Sequence, residues 1–192
     1  SYLLKLILCN LREAGLNVIC LDPEMEYEDL TNNLGGCFID LMGGRFLINP
    51  LEPKVWDEGE GLEDPDAPET FRIRSRLSQH ISFLKDFFRS YKDFTDREID
   101  VIEIMVQRLY ARCGLTDETD FQMLGSKDYP TLSELYGLIE AEYKGFDSGE
   151  RQLYTAELLQ NILLGLHSMC RGPEAKFFNG HTNITDSSFV TF

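Results

Sequence analysis

The chain has 192 residues, of which 43% are hydrophobic and 27% charged, and this composition predicts a folded globular protein and excludes disorder of the chain as a whole. Its 33 acidic and 18 basic side chains give a formal net charge of -15, which disfavours broad binding of nucleic acid because the phosphate backbone is repelled. The 5 cysteines include no C-x-x-C pair and the 3 histidines share no ligand spacing. They therefore favour buried free thiols in a reducing compartment over a disulfide framework or a zinc site.

The first 55 residues alternate between helical and strand-like patterns. Residues 1–14 carry an apolar face broad enough for a helix buried against a sheet, and Gly15 is a natural end for it. Residues 18–21 form a short apolar run typical of a parallel strand that is covered on both faces. After a short helix at residues 26–33, we expect two more strands at residues 37–41 and 45–48. This alternation predicts an α/β fold.

The middle of the chain is predicted to be helical. Residues 57–69 are rich in acidic residues, glycine and proline, and are expected to form a solvated loop. Capping boxes at Thr95 to Glu98 and at Thr131 to Glu134 mark the starts of two helices. With a helix before them and a fourth from about residue 150 to 170, they predict a small four-helix domain. The final strand candidate, residues 188–192, needs a partner among the N-terminal strands or in further sequence.

The chemistry is expected at the start of the chain. Ser1 opens a helix, as does the last residue of a P-loop, where a hydroxyl binds Mg²⁺; a plain helix cap is the simpler interpretation of Ser1 alone. Asp22 and Glu24 follow a strand, at the end of a parallel sheet where ligands bind. Asp22 can equally well cap the next helix, with Glu24 and Glu26 favouring its positive end. The residues alone favour this capping interpretation.

Two groups of residues resemble one family. Residues 18–27, the glycine pair at 35–36 and the segment 48–51 resemble the stretch after the P-loop in the VirB/TraE/TrbE class of conjugation ATPases. Residues 177–183 are similar to a later motif of that class, and the helical pattern between the two groups matches a helical domain placed there in the family. The motifs occur in the family's order and together span nearly the whole chain.

The resemblance implies a specific architecture. The fold class is α/β and predominantly helical: part of a RecA-like P-loop NTPase sheet with an inserted all-α domain. Residues 1–55 would belong to the ATPase core, 56–70 to an acidic loop, 71–172 to the inserted four-helix domain and 173–192 to the return into the core. The chain would begin at the end of the P-loop and stop before the Walker B strand.

The resemblance also implies site residues. Ser1 and Asp22 would bind nucleotide and Mg²⁺, and Glu24 and Glu26 would be catalytic, with Tyr27 a weaker candidate. A later group would form a loop near the nucleotide or a neighbouring subunit, although turn chemistry is the favoured alternative for it. Its members are Asn179, Thr182 and Asn183.

The implied function is that of a motor ATPase that powers conjugative DNA transfer or type IV secretion. It would act as an oligomer, a hexamer in the full-length protein, with channel components as partners, in the cytoplasm at the inner face of the cell membrane. ATP and Mg²⁺ would bind the full-length protein but not this piece tightly, because the P-loop lysine is absent, and we expect the piece alone not to hydrolyse ATP. Two alternatives stay open: a non-catalytic helical interaction module, and a DNA translocase of the HerA or FtsK type.

Overall fold

The computed structural model describes residues 2–40, 43–53, 76–147, 153–184 and 187–192. The chain divides into two compact units. The α/β unit comprises residues 1–48 and 182–192, and the helical unit comprises residues 49–181. The helical unit therefore lies in sequence between two parts of the α/β unit.

The α/β unit has a small parallel sheet. Its elements are the helix α1 (Tyr2–Glu13), the strand β1 (Val18–Cys20), the helix α2 (Glu28–Asn33) and the strands β2 (Cys37–Phe38) and β3 (Phe189–Thr191). The strand order is β1-β3-β2, so the last strand in sequence lies in the middle and pairs in parallel with both others. The prediction of an α/β fold with short parallel strands is confirmed, and β3 finds its partners among the N-terminal strands.

A glycine pair lets α2 end directly beside the sheet. Gly35 has a φ of 66°, a left-handed conformation that costs glycine little. A side chain on Gly36 would place its Cβ 2.6 Å from the carbonyl oxygen of Phe189, closer than non-bonded atoms approach. The two glycines thus allow the turn and the close approach of the backbone to β3.

Two expectations for the α/β unit are wrong, and a third is met only in part. Of the apolar face of α1 only Leu8 is buried, whereas Leu3 is 64% exposed. Residues 45–48 pair with no strand among the described residues, because the side chain of Asn183 takes the place of a neighbouring strand there. The strand predicted for residues 37–41 is present but shorter: it covers Cys37–Phe38, and residue 41 lies outside the described residues.

The helical unit contains four long helices: α3 (Arg76–Tyr91), α4 (Asp96–Arg112), α5 (Leu132–Lys144) and α6 (Ala156–Arg171). A one-turn helix, α7 (Ala175–Phe178), follows them, and two 3-10 turns, Phe121–Met123 and Ser126–Asp128, lie between α4 and α5. The predicted start of the first helix at residue 71 and of the last near residue 150 lie outside the described residues.

Helix caps and a shared apolar core stabilise the helical unit. Both predicted capping boxes are present, at Thr95 with Glu98 and at Thr131 with Glu134. The core is apolar and continuous across the four helices, and Leu51, which precedes them in sequence, is fully buried in it.

The cysteines do not all match the expectation of buried thiols, because Cys170 is buried but Cys113 is exposed.

Candidate functional site

The candidate site begins where β1 and β3 end side by side. The backbone N–H of Asp22 donates to the carbonyl of Phe192 at 2.7 Å, and the N–H of Phe192 donates to the carbonyl of Cys20 at 2.9 Å. These bonds continue the parallel ladder beyond both strands, to the second residue after β1 and the first residue after β3. Asp22 therefore lies at the carboxyl edge of the sheet, the edge at which ligands bind in open α/β folds.

Asp22 organises the loop that follows it. Its carboxylate accepts a 2.8 Å hydrogen bond from the backbone N–H of Tyr27, and its carbonyl accepts one from Met25 at 3.2 Å. The residue is only 5% exposed. One carboxylate oxygen, Oδ2, is thus committed to closing the loop just before α2, and Oδ1 accepts no hydrogen bond from the described residues.

The middle of this loop projects its carboxylates outward. Glu24 and Glu26 are both exposed, and between them Met25 has a φ of 56°. A left-handed conformation is unfavourable for a side chain such as methionine and persists only where the surrounding contacts impose it. We call residues 22–27 the acidic loop.

Tyr27 anchors the far end of the acidic loop in the small core of the α/β unit. It is 8% exposed and packs with Leu8, Val18 and Phe189. Burial, together with the nearby Cys20, Glu26 and Asp22, raises the pKa of its phenol, so the ring stays neutral. Tyr27 is a packing residue here.

Three side chains that the sequence analysis did not single out also hold the acidic loop. The hydroxyl of Thr31 donates to the carbonyl of Tyr27 at 2.8 Å and lies 2.7 Å from the hydroxyl of Thr191 in β3. Both threonines are fully buried. From α1, the ammonium of Lys5 donates to the carbonyl of Glu26 at 2.7 Å and lies 5.2 Å from the centre of the Tyr27 ring.

The structure brings only some of the predicted site residues together. Asp22, Glu24, Glu26 and Tyr27 share the acidic loop, while Ser1 lies outside the described residues. The expected loop of Asn179, Thr182 and Asn183 is divided between the two units, with the first residue in the helical unit and the other two in the α/β unit.

Asn183 binds backbone within the α/β unit. Its side-chain oxygen accepts from the N–H of Leu47 at 2.7 Å, and its side-chain N–H donates to the carbonyl of Arg45 at 2.9 Å. Its own backbone N–H donates to the carbonyl of Leu47 at 3.3 Å. Asn183 therefore fixes residues 45–47 beside the segment that leads into β3.

Asn179 also binds backbone through its side chain, in the helical unit. Its side-chain oxygen accepts from the N–H of Ser133 at 2.8 Å, and its amide nitrogen donates to the Ser133 hydroxyl and the Cys170 carbonyl, both at 2.7 Å. It thus joins the start of α5 to the end of α6. The amide of Asn179 is occupied by contacts within its own unit.

Two absences hold for the described residues. They contain no group of three or more His, Cys, Asp or Glu side chains arranged to hold a metal ion. None of the helices in the described part of the chain is long and apolar enough to cross a membrane.

The chain thus combines a parallel α/β unit, which has an acidic loop at its carboxyl edge, with a helical unit that interrupts it in sequence. No protein-family model and no curated protein sequence matches the chain. A solved structure does: VirB4 of Thermoanaerobacter pseudethanolicus shares the fold over 100% of this chain with a TM-score of 0.81 and 27% sequence identity. The chain is accordingly of the VirB4 type and is related to the type IV secretion ATPases, as the motifs predicted. It spans 45% of the length of that VirB4 chain.

Proposed function

We propose that this chain is part of a motor ATPase that powers conjugative DNA transfer and type IV secretion, and that ATP hydrolysis requires the full-length oligomer. The observation that carries the proposal is the match of the whole chain to VirB4 at a TM-score of 0.81, with an acidic loop at the carboxyl edge of the sheet. A helical interaction module would not require the carboxylates of that loop.

The architecture proposed is a RecA-like ATPase sheet with an inserted all-α domain. The three parallel strands, in the order β1-β3-β2, support it, because β2 and β3 enclose the helical unit in the sequence. Folds of this kind bind nucleotide beyond the carboxyl ends of the strands. The sheet described here would be one part of that ATPase core.

Asp22 and Ser1 are proposed to bind nucleotide and Mg²⁺. Mg²⁺ is usually held by one or two protein oxygens together with phosphates and water, so a single carboxylate and a hydroxyl fit it. Asp22 would use Oδ1, since Oδ2 is committed to Tyr27. When bound, Mg²⁺ neutralises charge on the transferred phosphoryl group.

Glu24 and Glu26 are proposed to be the catalytic carboxylates. Both are exposed on a loop that is fixed at its two ends, so each is accessible to a water that it could orient or deprotonate. The acidic loop supplies no positive charge for phosphate, which the P-loop lysine provides in proteins of this class. The chain alone is therefore proposed not to hydrolyse ATP.

The full-length protein is proposed to work as a hexamer at the inner face of the cell membrane, with channel components of the secretion machinery as partners. The net charge of -15 supports protein partners over DNA for this part of the protein. Asn179, Thr182 and Asn183 are also proposed to form a loop near a neighbouring subunit. Such a loop would form around the contacts that the two asparagines already make within their own units.

The test is ATP hydrolysis by the complete polypeptide that contains this chain. We expect Glu24→Gln and Glu26→Gln to lower kcat by about 10² to 10⁴, the usual contribution of general acid–base catalysis. Glu28→Gln, an acidic residue of α2 outside the proposed site, should leave kcat unchanged. Lack of hydrolysis in the wild-type polypeptide would contradict the proposal and favour the interaction module, and strong stimulation by DNA would favour a translocase.

A further inference from the structure

Lys5 occupies an unfavourable place in its helix. It lies in the first turn of α1, a turn that contains no acidic residue. The amino end of a helix carries partial positive charge, so an ammonium there is destabilising unless other contacts compensate. A side chain that breaks a local preference in this way points to a role outside its own helix.

The compensating contacts of Lys5 all lead to the acidic loop. Its ammonium donates to the carbonyl of Glu26 at 2.7 Å, and its position 5.2 Å from the centre of the Tyr27 ring is within the range of a cation–π contact. The two residues are adjacent, so one side chain fixes both the backbone and the ring at this end of the loop. Lys5 is half-buried as a result.

The acidic loop needs such a restraint. Met25 is held in a left-handed conformation, and the stretch around it is densely charged. Its carboxylates are Asp22, Glu24, Glu26, Glu28 and Asp29. Mutual repulsion and backbone strain both favour other loop conformations, and Lys5 supplies a positive charge together with a bond to the backbone.

We propose that Lys5 is a positioning residue that holds the acidic loop at a set place relative to the start of α1. The inference rests on the proposed function, which places nucleotide at the start of α1 through Ser1 and the catalytic carboxylates on the acidic loop. Lys5 then links the two halves of that site: movement of the first turn of α1 moves the backbone that carries Glu26. Lys5 itself touches neither nucleotide nor water in this role.

The first arm of the test uses the 192-residue chain without nucleotide. Lys5→Met keeps the length of the side chain and removes its charge, so we expect amide hydrogen exchange at Met25 and Tyr27 to accelerate at least about tenfold, as for the loss of a hydrogen bond to a charged group. Arg12→Met removes a charge two turns further along α1 and should leave these amides unchanged. Lys5→Arg, which can still donate to the carbonyl and stack on the ring, should restore the wild-type exchange rate.

The second arm uses ATP hydrolysis by the complete polypeptide. We expect Lys5→Met to lower kcat by about 10- to 100-fold while KM for ATP stays within about twofold. The substitution would displace the acidic loop but leave the residues that bind nucleotide in place. Lys5→Arg should recover most of kcat. A merely structural role would lower the amount of folded protein without this separation of kcat from KM.

The two arms separate failure of this inference from failure of the proposed function. Unchanged exchange in Lys5→Met, or unchanged kcat in an active polypeptide, overturns the positioning role. A wild-type polypeptide without ATP hydrolysis, combined with a loosened loop in Lys5→Met, overturns the proposed function and leaves Lys5 as the residue that holds the loop.

Discussion

The two units bury apolar surface to very different extents. In the helical unit, residues from all four long helices are fully buried, such as Phe88, Ile102, Leu135 and Leu166. In the α/β unit, the buried apolar cluster consists of Leu8, Val18, Tyr27 and Phe189, and Ile39 is buried as well. The helical unit therefore has the core of an independently stable domain, and the α/β unit has a shallow one.

The α/β unit also leaves large apolar side chains in solvent. Ile19 and Leu21 are 76% and 79% exposed, although parallel strands are usually covered on both faces. Buried polar contacts lie beside its small apolar core, such as the Thr31 to Thr191 pair and the Asp22 bond to Tyr27. The comparison teaches that the candidate site lies on the unit with the smaller buried core.

Truncation of a core side chain in the helical unit should have the largest effect on the free energy of unfolding. Leu135→Ala is expected to lower the free energy of unfolding of the helical unit by about 2–5 kcal/mol, because Leu135 is fully buried. Urea unfolding followed by far-UV circular dichroism measures it. Leu8→Ala should leave this transition unchanged.

The control for Leu135 is Leu164→Ala, also on a long helix of the same unit. Leu164 is 78% exposed, so its truncation should change the free energy of unfolding by less than about 0.5 kcal/mol. Equal losses at both positions would mean that the core described for the helical unit is wrong.

Loss of the Asn179 side chain should have the next largest effect. Asn179→Ala leaves the Ser133 N–H and the Cys170 carbonyl without their partner, and is expected to cost about 1–3 kcal/mol in the same urea experiment. Asn161→Ala, on the exposed side of α6, is the matched control and should cost less than about 0.5 kcal/mol. If Asn179→Ala behaves like the control, the link between α5 and α6 contributes nothing.

A pH dependence of intermediate size is expected from Cys170. Burial raises the pKa of this thiol to about 12, whereas a thiol in the unfolded chain ionises near about 8.5. The folded-state pKa is the higher one, so the unfolded state loses its proton first and stability falls as pH rises from about 9 towards 12. Each pH unit within this window should lower the free energy of unfolding by about 1 kcal/mol.

The measurement compares urea unfolding at pH 7.5 and pH 9.5 in the wild type and in Cys170→Ala. The variant should lose less stability between these two pH values than the wild type. Cys113→Ala is the comparison: partial burial and the nearby Glu134 also raise the pKa of this more exposed thiol, so its removal should change the pH slope less than Cys170→Ala does. Identical pH slopes in wild type and Cys170→Ala would show that the thiol is not buried in the folded protein.

The smallest effect is expected at the surface of the helical unit. Glu140 lies 3.2 Å from Lys144 and 4.0 Å from Arg171, and these basic side chains are at least half exposed. Glu140→Gln should therefore change the free energy of unfolding by less than about 0.5 kcal/mol. A loss similar to that of Leu135→Ala would mean that ion pairs rather than core packing stabilise this unit.

Features set by neighbouring residues were predictable from the sequence. The capping boxes at Thr95 and Thr131 follow from the spacing of a hydroxyl and a carboxylate, and both are present. Asp22 and Glu24 were expected in the loop after β1, whereas Glu26 was expected in the helix at residues 26–33 and lies in the loop because α2 begins at Glu28. The order of the helices and the parallel strands followed from hydrophobic periodicity in the same way.

Features that depend on distant contacts were not predictable. The sequence shows an apolar face on α1 but not what covers it, so Leu3 was expected to be buried and is exposed. Residues 45–48 have the pattern of a strand, but their partner is the side chain of Asn183. Lys5 meets Glu26 only because α1 packs beside the acidic loop. The position of Lys5 in the first helical turn was the one local sign of its role.

The most direct test of the proposed function compares ATP hydrolysis by the 192-residue chain with ATP hydrolysis by the complete polypeptide. The acidic loop is proposed to be one side of a nucleotide site, so the chain alone should show no hydrolysis above the rate in buffer. The complete polypeptide should hydrolyse ATP and lose this activity in Glu24→Gln or Glu26→Gln. A clear rate from the 192-residue chain, or an inactive complete polypeptide, would contradict this assignment.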